Sequence, residues 1–353
     1  MNPYQELPPR AFWRVAVAEP GVHEISDVWQ PKFVIDQDAP VITAGSCFAA
    51  EIGRHLIEHG MHWYDAEPPP PGLSRQERQA RHYREFSFRT GNIYTAAVLK
   101  QWVLWAFSRS EPDDEAWVDA GRYYDPYRPS VDPDGYDSPE AMLLARTRTL
   151  DAIRDAITTA SCFIFTLGLT EAWVHRADGT IYPVCPGTVR GRFDPALHEF
   201  HNYSFAEVHR DLTETITMLR QANAGLHVLL TVSPVPLTAT ATGGHALVAT
   251  THSKSVLRAV CGQVSAEHDH VDYFPSYELI TGQPFRSGFY EPNLRTVTPE
   301  GVSFVMRHFM ASLGRTPIST TPAPPARSPA ERLPADQGGD PCDDAILDYY
   351  SPR

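Results

Sequence analysis

The sequence predicts an α/β fold: a parallel sheet covered by helices on both faces. Three observations predict it. Short apolar runs rich in β-branched and aromatic residues recur at 41–44, 162–166, 228–232 and 271–274. Segments with helical period alternate with them, at a spacing that fits strand–helix–strand units. The first run ends in Gly45-Ser46-Cys47 and passes directly into a helical pattern.

The elements follow in order. Residues 1–40 carry several prolines and no period, and read as an irregular arm packed on the domain. After the strand at 41–44, a helix is expected over 48–59, closed by Gly60 at its C-terminal end. The prolines at 68–71 are a hard break. Residues 95–108 read as a helix with Val98, Trp102 and Trp105 near one face. Residues 109–137 are acidic, aromatic and turn-rich, and read as a loop-rich insertion. Ser138-Pro139 is an N-cap followed by proline at the first helical position, opening a helix to about Ala160. Asp178-Gly179, between Val174 and Ile181, signals a hairpin. Ser204-x-x-Glu207 is a capping box for a helix to about Asn223. A helix is expected over 253–268, and Thr298-Pro299-Glu300 caps a last one through Leu313. The α/β domain thus spans 41–314. Residues 315–353 are dominated by proline, alanine, serine and threonine, and read as a disordered tail.

Composition narrows the function. Hydrophobic residues make up 42% of the 353, enough for a sizeable core. No run approaches the ~18 to 20 apolar residues of a membrane span. The first twenty residues have no basic stretch followed by an apolar core, so a cytoplasmic location is expected. A net charge of −13 opposes wrapping of nucleic acid or of an anionic membrane. The five cysteines, at 47, 162, 185, 261 and 342, form no Cys-x-x-Cys pair, so reduced thiols are expected. No Walker loop, dinucleotide fingerprint, zincin string or EF-hand is present, so no cofactor and no metal are expected.

In open parallel sheets, ligands sit beyond the carboxyl ends of the strands. Gly45-Ser46-Cys47, Gly168-Leu169-Thr170-Glu171 and Ser233-Pro234-Val235-Pro236 stand at three such ends, and are candidates to share one cleft. A serine or thiol lifted out of the sheet at a helix start is placed for nucleophilic attack, and the helix N-terminus favours a thiolate. The same letters also suit a buried Cys47 and an N-capping Ser46.

The string Ala44-Gly45-Ser46-Cys47-Phe48-Ala49 resembles the defining motif of the GSCFA family. Arg89-Thr90-Gly91-Asn92-Ile93-Tyr94, Phe165-Thr166-Leu167-Gly168-Leu169-Thr170-Glu171-Ala172-Trp173 and Val232-Ser233-Pro234-Val235-Pro236 resemble it too. So do Ser253-Lys254-Ser255-Val256-Leu257-Arg258 and Tyr273-Phe274-Pro275-Ser276-Tyr277-Glu278, and the likeness covers roughly 35–313 in order. That family is similar to the SGNH (GDSL-like) hydrolases, which implies a flavodoxin-like three-layer αβα sandwich.

The resemblance also implies roles. The SGNH Gly-Asp-Ser block becomes Gly45-Ser46-Cys47, with Cys47 in the serine slot, and either Ser46 or Cys47 is a candidate nucleophile. Some SGNH-like capsule-polysaccharide acyltransferases carry Gly-Asn-Cys at this place. Gly91 stands where an oxyanion amide is expected, beside Asn92. Thr170 takes the place of the oxyanion asparagine, and Glu171 follows it. The Asp-x-x-His block falls on Asn293-Leu294-Arg295-Thr296, without a histidine. His201 and His252 are then the candidate general bases, and Lys254, Arg258 and Arg295 a candidate anion pocket. The implied activity is hydrolysis or transfer of an O-acyl (ester) group on a small molecule or saccharide. The alternative is a catalytically silent SGNH-fold protein that binds a glycan or a glycan-assembly partner.

Overall fold

The structure, a computed structural model, describes residues 2–314 and 343–351. Its helices are α1 (Cys47–Glu58), α2 (Arg75–Ala80), α3 (Ala96–Ala106), α4 (Pro139–Thr159), α5 (Phe205–Ala222), α6 (Ala246–Glu267), α7 (Ser276–Thr281) and α8 (Pro299–Ser312). Its strands are β1 (Val41–Gly45), β2 (Trp117–Asp119), β3 (Arg122–Tyr124), β4 (Cys162–Leu167), β5 (Glu171–His175), β6 (Ile181–Tyr182), β7 (His198–Asn202), β8 (His227–Val232) and β9 (Val271–Tyr273).

The four apolar runs form one parallel sheet in the order β1-β4-β8-β9. An isolated parallel bridge between Val41 and Trp63 adds a rudimentary fifth position outside β1. The resulting order, with the second segment outside the first, is that of flavodoxin-like sheets. Side chains alternate across the pleat. Ile42, Ala44, Phe163, Phe165, Val228 and Leu230 face one core, which α3, α4, α5 and α6 cover. Val41, Cys162, Ile164 and Leu229 face a second core, covered by α1, α7 and α8. Burial on both faces is why these strands read as unbroken apolar runs.

Local signals set the helix ends. Ser138 caps α4, with Pro139 at its first position. Ser204 and Glu207 close a reciprocal capping box on α5. Thr298 accepts from the Gly301 amide to start α8. In the N-terminal segment, Trp29 stacks on Phe309 with ring centroids 5.6 Å apart, and its indole N–H donates to Asp272 at 3.1 Å.

Four features go beyond the sequence reading. The insertion at 109–137 contains an antiparallel hairpin, β2–β3, turned at Ala120 and Gly121 with positive φ at both. The α6 helix starts at Ala246 rather than at Ser253, capped by the His245 side chain. A second, antiparallel sheet, β6-β5-β7, stands beyond β4, and its third strand has no counterpart in the sequence reading. The expected disorder of the tail falls in part on 315–342, outside the described residues; Asp343–Tyr350, however, forms 3₁₀ turns against the domain.

Candidate functional site

The three strand ends do meet. β1, β4 and β8 are adjacent and parallel, so their carboxyl ends share one edge. Gly45 is required there by two facts. Its φ is +135°, and a Cβ would lie 2.3 Å from the Thr166 carbonyl oxygen. This close approach lets the Ser46 amide donate to Thr166 at 3.0 Å while the chain turns into α1. Gly168 is a second close approach: a Cβ there would sit 2.9 Å from the Tyr94 ring and 3.2 Å from the Ser46 Cβ. The segment 91–94 fits between the two strand ends. The Ile93 amide donates to Gly45 at 2.8 Å, and the Tyr94 carbonyl accepts from Gly168 and Leu169 at 2.8 and 3.0 Å.

The α6 helix braces this junction from below. Ser253 accepts from the Thr170 amide at 3.0 Å. Lys254, only 1% exposed, donates from Nζ to the Gly168 carbonyl at 2.6 Å. A buried ammonium needs such a partner, and here the bond fixes the peptide that faces Ser46.

Ser46 occupies the N-cap position of α1, yet its side chain makes no capping bond. The hydroxyl is buried and, among the described residues, has no hydrogen-bond partner. Cys47 is the first residue of α1 and is disulfide-bonded. Cys162, Cys185 and Cys261 carry free thiols. The expectation of five reduced thiols therefore fails at the one cysteine that mattered. The fifth, Cys342, lies outside the described residues.

A cleft of about 890 Å³ lies next to Tyr94 and Leu169. Tyr94, Leu169, Glu171, Trp173, Val184 and Leu237 line it. Burial pushes the Glu171 carboxyl above its ordinary range, against the pull of hydrogen bonds from Thr240 and Ala241 and of the His252 charge. His252 is exposed and directly precedes Ser253.

A family model matches residues 40–309, described as the GSCFA family. The chain belongs to the GSCFA family. A search of the curated proteins returns no match. The matched span of this GSCFA chain contains every element that builds the junction described above.

Within the GSCFA domain, several expected site residues are engaged elsewhere. Thr170, expected to face an oxyanion, is fully buried and donates to Asn202 at 2.7 Å, pinning β7 to the end of β4. His201 contacts Glu207, the capping carboxylate of α5, at 2.9 Å. Arg258 pairs with Glu278 and stacks 4.1 Å above the Tyr273 ring. Arg295 is buried, and its amide donates to Asn293 at 3.0 Å. Of the expected anion pocket, Lys254 thus holds the Gly168 carbonyl and Arg258 holds Glu278. At the missing Asp-x-x-His block, Asn293 donates to the Thr296 hydroxyl at 2.9 Å and closes the turn.

Asn92 and Gly91 are at the site. The Asn92 carboxamide donates to the Asp343 carboxylate at 3.0 Å. Tyr94, Ser253 and Asp343 were missed as site components. The first two lie inside family-like strings, where backbone bonding rather than chemistry is their contribution; Asp343 had no signal. Among the described residues, no helix is long and apolar enough to cross a membrane.

Proposed function

We propose that this GSCFA protein is an SGNH-like hydrolase or acyltransferase for O-acyl groups, with Cys47 as its nucleophile in the reduced state. The observation that carries the reading is the Gly45-Ser46-Cys47 turn, held against Gly168 next to Tyr94 and Leu169, which line a cleft together with apolar side chains and Glu171, Asp343 and Asp348. Ser46 is the weaker nucleophile. Among the described residues no base hydrogen-bonds its hydroxyl, and a serine without a base has almost no alkoxide at neutral pH. A thiol at the first turn of α1 needs less help, because the unpaired helix amides favour the thiolate.

In this mechanism the Cys47 thiolate attacks the acyl carbonyl. The Gly91 amide and the Asn92 carboxamide hold the developing oxyanion. His252, beside Glu171, then activates the water or hydroxyl acceptor that releases the acyl group. Thr170, Ser253 and Lys254 position the strand end. An apolar wall of Leu169, Trp173 and Leu237 suits the acyl chain or a sugar face.

A second reading has its own support. The Asn293–Thr296 bond stands where an Asp-x-x-His pair would act, which suits a silent glycan-binding member of the fold. Intact-mass measurement separates the two. After reduction and incubation with an activated ester, the enzyme reading predicts an acyl adduct that maps to Cys47. Retention on immobilised glycan without any adduct would favour the binding reading.

A further inference from the structure

The walls of the cleft decide between the two surfaces they could meet, an acyl chain and a sugar face. A sugar carries a hydroxyl on nearly every carbon, so a site for it turns hydrogen-bonding side chains toward the ligand. Here polar side chains of the lining bond to the lining itself. The Thr240 hydroxyl donates to Glu171 at 2.7 Å, and the Thr188 hydroxyl donates to the Cys185 carbonyl at 2.7 Å. Much of the remaining surface is apolar, with Trp173, Val184, Phe193, Phe200 and Leu237. Phe193 and Phe200 pack edge-on to Trp173, with ring centroids 5.2 and 5.7 Å apart.

The wall is built in advance. Gly191 has a φ of +75°, and a Cβ there would lie 2.5 Å from the Trp117 ring, so the loop before Phe193 is pressed onto β2. The Gly187 amide donates to the Arg190 carbonyl at 2.7 Å and closes the same loop. Leu169 ties the cleft to the junction, because its neighbour Gly168 lies against Ser46. Size and charge narrow the ligand further. A methylene takes roughly the ~30 Å³ of a liquid water, so an acetyl group would fill about a tenth of 890 Å³ and a ten-carbon chain about a third. The charged groups of the lining are Glu171, Asp343 and Asp348 against Arg192 alone, an excess that repels anions.

We propose that the cleft binds an uncharged alkyl chain of about eight to twelve carbons, and so selects a medium-chain acyl ester over an acetyl ester, a sugar or an anionic lipid. That the chain is the acyl part of a substrate rests on the acyl-transfer reading; that the cleft binds it does not.

The test uses the full chain without reductant. Cys47 is then in its disulfide, so no acyl-enzyme forms and binding is read by itself. Hexanol, octanol and decanol compete with the neutral dye N-phenylnaphthylamine, followed by fluorescence. Affinity should rise about fourfold with each methylene, on the order of a hundredfold from hexanol to decanol. Sodium decanoate should bind at least tenfold more weakly than decanol. Ala239 is exposed on the lining, so Ala239→Trp should keep the fold and narrow the cleft. It should cut decanol affinity at least tenfold and hexanol affinity much less. A series flat with chain length, decanoate binding as tightly as decanol, or displacement by maltose but not by decanol would overturn the proposal. Loss of ester turnover in reduced protein, with the alcohol series intact, would overturn only the functional reading. A flat series beside turnover of a short ester would overturn only the chain assignment.

Discussion

The Asn92 carboxamide donates to the Asp343 carboxylate across 3.0 Å, and this contact joins the end of the chain to the floor of the candidate site. A hydrogen bond to a charged acceptor is worth about 1.5–3 kcal/mol when buried. It makes residues 343–351 part of the folded unit. Ending the chain at Gly314 is therefore expected to lower stability by about 1.5–3 kcal/mol. Urea denaturation of the two chains measures the difference. Identical curves for the two chains would mean that the tail is not docked.

Gly45 is the tightest point of the site. Gly45→Ala would force a Cβ to within 2.3 Å of the Thr166 oxygen at a φ of +135°. The expected cost is at least about 2–4 kcal/mol, because either strand pairing or the turn must give way. Gly72→Ala is the control. Its φ is +97°, yet nothing lies within 4 Å of the added Cβ. It should cost about 1 kcal/mol, from backbone strain alone. Equal losses in the two variants would show that β1 and β4 are not in van der Waals contact there.

The second core carries a titratable group. His308 packs edge-on against Phe304, with ring centroids 4.7 Å apart. Burial, aided by the Arg307 charge, holds its imidazole down at about 4, below the ordinary 6.5. The folded state thus binds this proton less readily than the unfolded chain does. Stability from neutral His308 is fully present above the unfolded value and is lost as pH falls from 6.5 toward about 4. His308→Phe should flatten the stability–pH slope in that window by up to one proton. An unchanged slope would place the effect elsewhere.

The fold was readable where one physical rule acted locally. Parallel strands buried on both faces give apolar runs, and the serine and threonine caps of α4, α5 and α8 announce themselves by letter and spacing. β7 was not readable, because His198–Asn202 is a half-exposed edge strand with neither an apolar run nor alternation. The early turns of α6 were hidden because Leu247 and Val248 point to solvent and break the amphipathic period. At the site, the glycine turn and its neighbours were legible as chemistry. The engagement of Thr170 by Asn202 and of His201 by Glu207 was not, since each depends on a contact to another strand or helix. The return of Asp343 to Asn92 depends on a contact 251 residues distant in sequence.

The central claim is that Cys47 performs acyl transfer once reduced. Turnover of a short activated ester by reduced wild type, Cys47→Ala, Cys47→Ser and Ser46→Ala tests it most directly. The account predicts turnover in the wild type and in Ser46→Ala. It predicts loss on the order of a thousandfold in both Cys47 variants, because serine there has no histidine at Thr296 to ionise it. Full activity in Cys47→Ala together with loss in Ser46→Ala would contradict the claim and move the nucleophile to Ser46.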